Sequence, residues 1–267
     1  MAQHDDHDLL PTPGQRVGTF LKRKDVSQTF LLGIFFTAVF VVLGLWVYPH
    51  WMPNVMSKEM QGNEDIMIWF TVISAPIAGV VLAIAMESFL NMHRGDTPPP
   101  EDGPGIKTHG PVVIIWSAVS TLFCILAIVW GLTEMNAWSA DALAGSNKAL
   151  VVEVTGSQWN WSFSYPAQGI TSHELNLPIN QPVEFRIKSA DVNHSFWPVQ
   201  LGVKVDANYL VETVARTTPD KLGVFDVKCA ELCGINHAYM ETTGHVQSVA
   251  DFNSWISQAK ATGGTQQ

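Results

Sequence analysis

Three uninterrupted apolar runs dominate the first half of the chain: 31–48 (LLGIFFTAVFVVLGLWVY), 66–86 (IMIWFTVISAPIAGVVLAIAM) and 112–132 (VVIIWSAVSTLFCILAIVWGL). None contains a charged residue, and each is long enough to cross a hydrocarbon core of about 30 Å as a helix. After Ala149 the period changes. The stretches ALVVEVTGSQWNWSFSY, HELNLPINQPVEFRIKS, LVETVARTT and VFDVKCAELCG alternate apolar with polar residues, are rich in β-branched types and are broken by Pro, Gly and Asn. That alternation predicts half-buried strands. Residues 149–260 therefore read as one small antiparallel Greek-key barrel or sandwich, ending in a short helix over DFNSWISQAK and a frayed tail, 261–267. The Pro/Gly-rich 97–105 predicts an irregular turn between helices. The expected division is a cytoplasmic tail 1–28, a transmembrane region 29–134 with three helices, a linker 135–148, and the β-domain.

Composition agrees with this split. At 47% hydrophobic residues and a mean hydropathy of +0.13, the 267 residues are too apolar for an ordinary soluble chain. A net charge of −9 offers no basic face for nucleic acid. Lys and Arg cluster before the first run (Arg16, Lys22, Arg23, Lys24) and between the second and third (Arg94, Lys107), whereas the loop after the first run sets Lys58 against Glu59, Glu64 and Asp65. The positive-inside rule then puts the N-terminus in the cytoplasm and, after three crossings, the β-domain on the outer face of a prokaryotic-type plasma membrane. The first 28 residues are polar, so the first span is expected to act as an uncleaved signal.

The chemistry is concentrated in twelve residues, Cys229-Ala-Glu-Leu-Cys233-Gly-Ile-Asn-His237-Ala-Tyr-Met240, with His194 35 positions upstream. Thiolates and a thioether favour copper in its lower oxidation state, and imidazole suits copper and zinc alike. Cys, Cys, His, His and Met are more than one tetrahedral ion needs, and a blue copper site needs a single cysteine. Two metals sharing two thiolates fit the count. A structural zinc on the cysteines and histidines would leave Met240 without a role, and a Cys229–Cys233 disulfide would leave the His and Met spacing unexplained.

The run Cys-x-Glu-x-Cys-x-x-x-His-x-x-Met, preceded by Asp191-Val-Asn-His194-Ser-Phe, resembles the binuclear copper A centre of subunit II of haem-copper oxidases, the cytochrome c oxidase family. The resemblance covers about the last 200 residues. It implies a cupredoxin-like barrel in which His194, Cys229, Cys233, His237 and Met240 are side-chain ligands and Glu231 gives its backbone carbonyl. The carboxylate of Glu231 would also reach a magnesium ion shared with subunit I. It further implies electron entry at Trp159 from a c-type cytochrome or small copper protein, donor docking at Asp191, and contact with the haem-bearing subunit I at Lys204 and Asp206. The other oxidase subunits and the lipid bilayer complete the expected partners. Alternation would put Trp159, Trp161, Phe163 and Tyr165 on one strand face, of which the last three read as ordinary core.

Several positions depart from the family pattern. The subunit ordinarily has two spans, so 31–48 is an addition. Asn160 follows Trp159 where relatives carry an aromatic residue; Trp197-Pro198-Val199 and Asn208-Tyr209-Leu210 replace the usual residues near the subunit I contact. Val113 stands where many oxidases have a glutamate opening a cytoplasmic proton path, and Glu87, at the cytoplasmic end of the preceding span, is a carboxylate that could substitute. Cys124, isolated in the third run, reads as a small core residue. The resemblance thus implies the electron-entry subunit of a cytochrome c oxidase, with a copper A-bearing nitric oxide reductase subunit as the rival reading suited to Val113. A membrane-anchored copper carrier or delivery protein is the third.

Overall fold

The computed structural model describes residues 24–90, 110–145 and 149–266. The expected tail through residue 23, the basic residues Arg16, Lys22, Arg23, Arg94 and Lys107, the turn 97–105 and the last three residues of the expected linker lie outside them.

The chain divides into two compact units, one of residues 1–52 with 65–105 and one of 53–64 with 106–267. In the first, helix α1 (Lys24–Val42) continues through a π-helical stretch, Leu43–Val47, and a last α-turn, Tyr48–Trp51. It packs on helix α2 (Lys58–Leu90). The contact is made by small residues. On α2, Thr71, Ala75, Gly79 and Ala83 recur every fourth position and so share one face. Ala75 and Ala83 are fully buried, and a Cβ on Gly79 would overlap Thr37. A Cβ on Gly44, within the π-helical stretch, would press on the Thr71 methyl at 2.8 Å. Lipid is as apolar as leucine, so membrane helices associate by this sort of close backbone approach. The added first span is therefore fastened to the second.

Among the described residues, three helical segments are long and apolar enough to cross a membrane: Val26–Trp51, Lys58–Leu90 and Gly110–Thr133. Each contains the run expected from sequence. The third, α3, extends over Gly110–Gly145, so helix occupies most of the stretch expected as linker. The Ala-rich 136–145 segment contains no proline to stop it, and the first glycine there is Gly145.

Among the described residues of the second unit, eleven strands form two sheets. They are β1 (Leu150–Ser157), β2 (Asn160–Tyr165), β3 (Ile170–Ser172), β4 (Leu175–Pro178), β5 (Val183–Ser189), β6 (His194–Pro198), β7 (Val205–Ala207), β8 (Thr213–Thr217), β9 (Gly223–Cys229), β10 (Glu241–Gln247) and β11 (Thr265–Gln266). One sheet runs β11-β3-β2-β1-β5-β8, the other β4-β10-β9-β6-β7. The expected all-antiparallel pattern is not met, because β1/β5, β4/β10 and β3/β11 pair in parallel. The domain is nonetheless an all-β, cupredoxin-like sandwich around one core. Phe196 of one sheet sits at its centre, with ring centroids 5.6, 6.2 and 5.2 Å from Trp161, Phe163 and Phe185 of the other. Tyr165 ties the sheets together by polar contacts. Its hydroxyl donates to Asn176 O (2.9 Å) and accepts from Asn176 N–H (2.8 Å). Burial raises this phenol well above its ordinary pKa, so it stays a neutral donor.

Helix α4 (Val249–Ala261) begins at Ser248, whose hydroxyl accepts from Asp251 N–H, and lays Phe252 and Trp255 against Tyr165. Thr265 and Gln266, expected in a frayed tail, add to the sheet beside Thr171 and Ser172. Gly263 and Gly264, with φ of 93° and 78°, allow the reversal that brings them there.

Residues 53–64 belong to the β-domain although they lie between the first two spans in sequence. Met56 N–H donates to Gln200 O and Asp220 N–H to Met56 O. Ser57, fully buried, donates to Leu201 O at 2.8 Å and accepts from Met60 N–H, capping α2. Gly202, in the left-handed region at φ 67°, leaves room for the Met60 backbone that any Cβ would strike.

Candidate metal centre

Three elements converge at one end of the sandwich. Strand β6 opens with His194, β9 closes with Cys229, and the loop from Ala230 returns through a 3-10 turn, His237–Tyr239, to Met240 at the head of β10. Cross-strand pairing sets Phe196 opposite Cys229, which fixes His194 two residues from that rung. The loop is pinned at its ends: Cys229 N–H donates to Met240 O, and Ala230 N–H to Ser195 O.

Within this frame Cys229 Sγ lies 3.8 Å from Cys233 Sγ and 3.9 Å from His194 Nδ1. Cys233 Sγ lies 3.5 Å from His237 Nδ1 and 3.6 Å from Met240 Sδ. The Glu231 carbonyl oxygen is 3.2 Å from Cys229 Sγ, while the Glu231 side chain faces solvent. The two cysteines form no disulfide. His194, Cys233 and Met240 are buried, Cys229 nearly so, and His237 is half-buried. Among the described residues, His194, Cys229 and Cys233 form the one cluster of His, Cys, Asp or Glu whose donor atoms all lie within 4.8 Å of one another. The sequence-expected set is thus brought together entire.

Second-sphere contacts orient it. Asp191 Oδ1 is 2.8 Å from His194 Nε2, which holds the ring proton on Nε2 and turns the Nδ1 lone pair toward the sulfurs. Burial acts to raise the Asp191 carboxyl, but the Gln158 N–H, the His194 ring and the Val192 N–H outweigh it and hold it below its ordinary range. Burial, reinforced by the neighbouring Cys229 thiol, pushes the Cys233 thiol up to about 11. A metal must therefore displace that proton to gain a thiolate. Two thiols, two imidazole Nδ1 atoms, a thioether and a carbonyl facing a common centre suit soft copper; a lone tetrahedral zinc would leave the buried Met240 sulfur unused.

The remaining expected residues fall in two places. Trp159 sits in the turn before β2 rather than on the strand, so it does not share the inward face of Trp161, Phe163 and Tyr165. It lies against the ligand loop instead: a Cβ on Gly234 would stand 3.2 Å from its Nε1. Lys204 and Asp206 are exposed. Lys204 Nζ rests 5.6 Å above the Trp197 ring, and Thr213 Oγ1 donates to the Asp206 carbonyl. Sequence reasoning missed Gln158, whose N–H donates to Asp191 Oδ2 and whose amide donates to Cys233 O at 2.7 Å. It also missed the restriction at Gly234 and at Gly156, where a Cβ would press on Trp161 and His194 at 3.0 and 3.1 Å. No spacing motif announces such contacts.

Residues 169–248 match the family model for the periplasmic domain of cytochrome C oxidase subunit II. The chain is 39% identical over 128 residues to cytochrome c oxidase subunit 2 of Thermostichus vulcanus, covering 48% of this chain and 39% of that one. It is 25% identical over 274 residues to the Synechocystis protein of the same name, covering 86% and 81%. The chain thus spans less than half the length of the first of these relatives. The solved periplasmic domain of subunit II of cytochrome oxidase from Bradyrhizobium japonicum is 30% identical, covers 43% of this chain and 96% of its own, and aligns with a TM-score of 0.41. Three candidate spans and a domain of periplasmic kind describe a membrane protein with an outward-facing domain. The ligand loop and the family match point the same way: residues 169–248 are similar to the periplasmic domain of cytochrome C oxidase subunit II, and the chain as a whole is similar to cytochrome c oxidase subunit 2 proteins.

Proposed function

We propose that the chain is the electron-entry subunit of a respiratory oxidase, and that its β-domain holds a binuclear copper A centre. The observation that carries this reading is the convergence of five soft or borderline donors, from His194, Cys229, Cys233, His237 and Met240, with the Glu231 carbonyl beside them and both thiols unpaired. Copper held by these residues would supply one-electron redox chemistry. The protein's part is to bury the thiols, to aim His194 through Asp191, and to keep the loop rigid through Gln158 so that the donors move little between charge states. A site so closed favours retention over release, which argues against a delivery role.

Trp159, against Gly234 of the ligand loop, is the entry point for an electron from a c-type cytochrome or small copper protein. Lys204 and Asp206 face the haem-bearing subunit I, and the exposed Glu231 carboxylate is free to serve a magnesium ion at that boundary. Oxygen reduction to water belongs to that partner. The hydrogen bonds from 53–64 into the β-domain support an orientation in which the loop after the first span and the β-domain share the outer side, which leaves the N-terminus cytoplasmic. This agrees with the distribution of Lys and Arg.

Val113, in place of a glutamate, favours one second reading, a nitric oxide reductase subunit that has no need of that proton route. Gas uptake by the purified complex, driven by a reduced c-type cytochrome, separates the two. Oxygen uptake with little nitric oxide turnover is expected; the reverse would replace the oxidase reading. Trp159→Ala is expected to slow cytochrome-driven uptake about tenfold or more while the copper spectrum stays intact, and unchanged turnover would remove Trp159 from the path.

A further inference from the structure

Residues 53–64 do more than connect two spans, because their hydrogen bonds converge on one turn of the β-domain. Three successive carbonyls after β6 are taken by this segment. Gln200 O accepts from Met56 N–H at 3.0 Å, Leu201 O from the Ser57 hydroxyl at 2.8 Å, and Gly202 O from the Asn63 side-chain amide at 3.1 Å. Gly202 closes the fit, since a Cβ there would stand 2.6 Å from Met60 N. The segment is itself held from its other side. Met56 O accepts from Asp220 N–H, Glu59 Oε2 accepts from Thr217 Oγ1 at 2.9 Å, and Ser57 forms a β-bridge with Pro219. Met56, Ser57 and Met60 are buried.

The clamped turn occupies a particular place in the chain. It joins β6, which opens with His194, to β7, which pairs back on β6 with Ala207 opposite His194 and Asp206 opposite Ser195. Lys204 and Asp206, the residues proposed to face subunit I, follow Gly202 by two and four positions. A surface turn ordinarily leaves its carbonyls to water. Here each is met by a directed bond from another segment, and a polar network satisfied in this way rigidifies the backbone that it joins. One donor, Asn63, lies on α2, whose later residues form the second candidate span.

We propose that Ser57 and Asn63 are positioning residues for electron exit: they hold the turn 199–202 so that Lys204 and Asp206 meet the haem-bearing subunit in one fixed geometry. The proposal rests on the electron-entry reading and deepens it by giving the loop after the first span a part in the second transfer. The two residues act through the turn and touch neither the metal nor the donor. Transfer between fixed centres depends on their distance and orientation, and a displacement of about 1 Å can cost a positioned reaction about a hundredfold. Small shifts of this turn are therefore read out as rate.

The test uses the purified, copper-loaded complex and times two steps separately after photochemical reduction of a bound c-type cytochrome: cytochrome to copper, and copper to haem. Amide hydrogen exchange across 203–206 is followed in the same samples. Ser57→Ala is expected to slow the copper-to-haem step about tenfold and Asn63→Ala about threefold, with the copper spectrum, subunit content and cytochrome-to-copper step as in wild type. Exchange across 203–206 is expected to quicken about tenfold in both. Asn63→Leu, which keeps the bulk but cannot donate, is expected to match Asn63→Ala. Should Ser57→Ala fail to assemble, the two Asn63 variants decide. Faster exchange with an unchanged copper-to-haem step would overturn the proposal by making the clamp a matter of stability alone. Wild-type rates in Asn63→Leu would overturn it by reducing the contact to packing, and an equal slowing of both steps by showing general disruption. If the wild-type copper centre passes no electron to a haem, the electron-entry reading itself fails, and the positioning role with it.

Discussion

The β-domain and the membrane helices are both rich in large apolar side chains, yet they use them in opposite ways. In the sandwich, Trp161, Phe163, Phe185 and Phe196 are sealed from solvent, and the exposed apolar residues gather on loops and edges. On the helices Phe30, Ile114 and Trp116 stand outward, and it is the small residues Ala75 and Ala83 that are buried. Water expels apolar surface into a core, whereas lipid does not, so the helices are held by close backbone approach instead. The hydrophobicity of a residue therefore says little about its contribution until its solvent is known.

Truncation breaks the comparison most sharply. Phe196→Ala removes the centre of an aromatic cluster directly opposite Cys229 and is expected to cost about 3–5 kcal/mol in denaturant unfolding of the β-domain, with loss of copper before loss of helix content. In the membrane the damaging change runs the other way, from small to large. Gly79→Leu drives a side chain into Thr37 and is expected to destabilise the α1–α2 pair by about 1–3 kcal/mol, seen as a lower melting temperature in detergent and a longer spin-label distance between α1 and α2. An unchanged distance would mean that the first span is only an anchor.

A charged group in the sheet gives a smaller effect with a pH signature. Glu184, nearly buried on β5, is held below its ordinary carboxyl pKa of 4.5 first by hydrogen bonds from Arg216 and further by Arg186, at 2.8 and 3.1 Å, against the opposing effect of burial. A depressed folded-state pKa gives stability that is present above the unfolded value and is lost as pH falls through the folded one. Glu184→Gln is expected to cost about 1 kcal/mol at neutral pH, the arginines being partly solvated, and to converge with wild type as pH falls through the depressed folded-state value. Parallel stability curves would exclude this ion pair as the source. The smallest effect sharpens the contrast: Ile114→Ala, on a side chain 70% exposed on α3, is expected to shift melting by less than about 0.5 kcal/mol.

The sequence disclosed different things in the two regions for the same reason. The spans were legible because uninterrupted apolar runs have one common explanation, and the ligands because Cys, His and Met at those intervals serve little else. What escaped was set by spatial neighbours. The stripe Thr71, Ala75, Gly79, Ala83 was present in the chain as a four-residue repeat, but its meaning depends on a facing Thr37. Residues 53–64 read as a plain loop because nothing local signals that Met56 and Ser57 will join a domain some 150 residues away. The parallel strand pairs and the docking of Thr265–Gln266 are likewise products of topology, to which alternation is blind. Trp159 was displaced from its expected strand face because β2 starts one residue later, at Asn160.

The central claim is a two-copper centre sharing Cys229 and Cys233. It is tested most directly by copper analysis with electron paramagnetic resonance on the purified wild type, Cys229→Ser and Cys233→Ser. The account predicts two coppers per chain and a signal of one electron spread equally over both metals in the wild type, with that signal lost in each variant. A single copper, a zinc, or the same shared-electron signal surviving in both variants would contradict it.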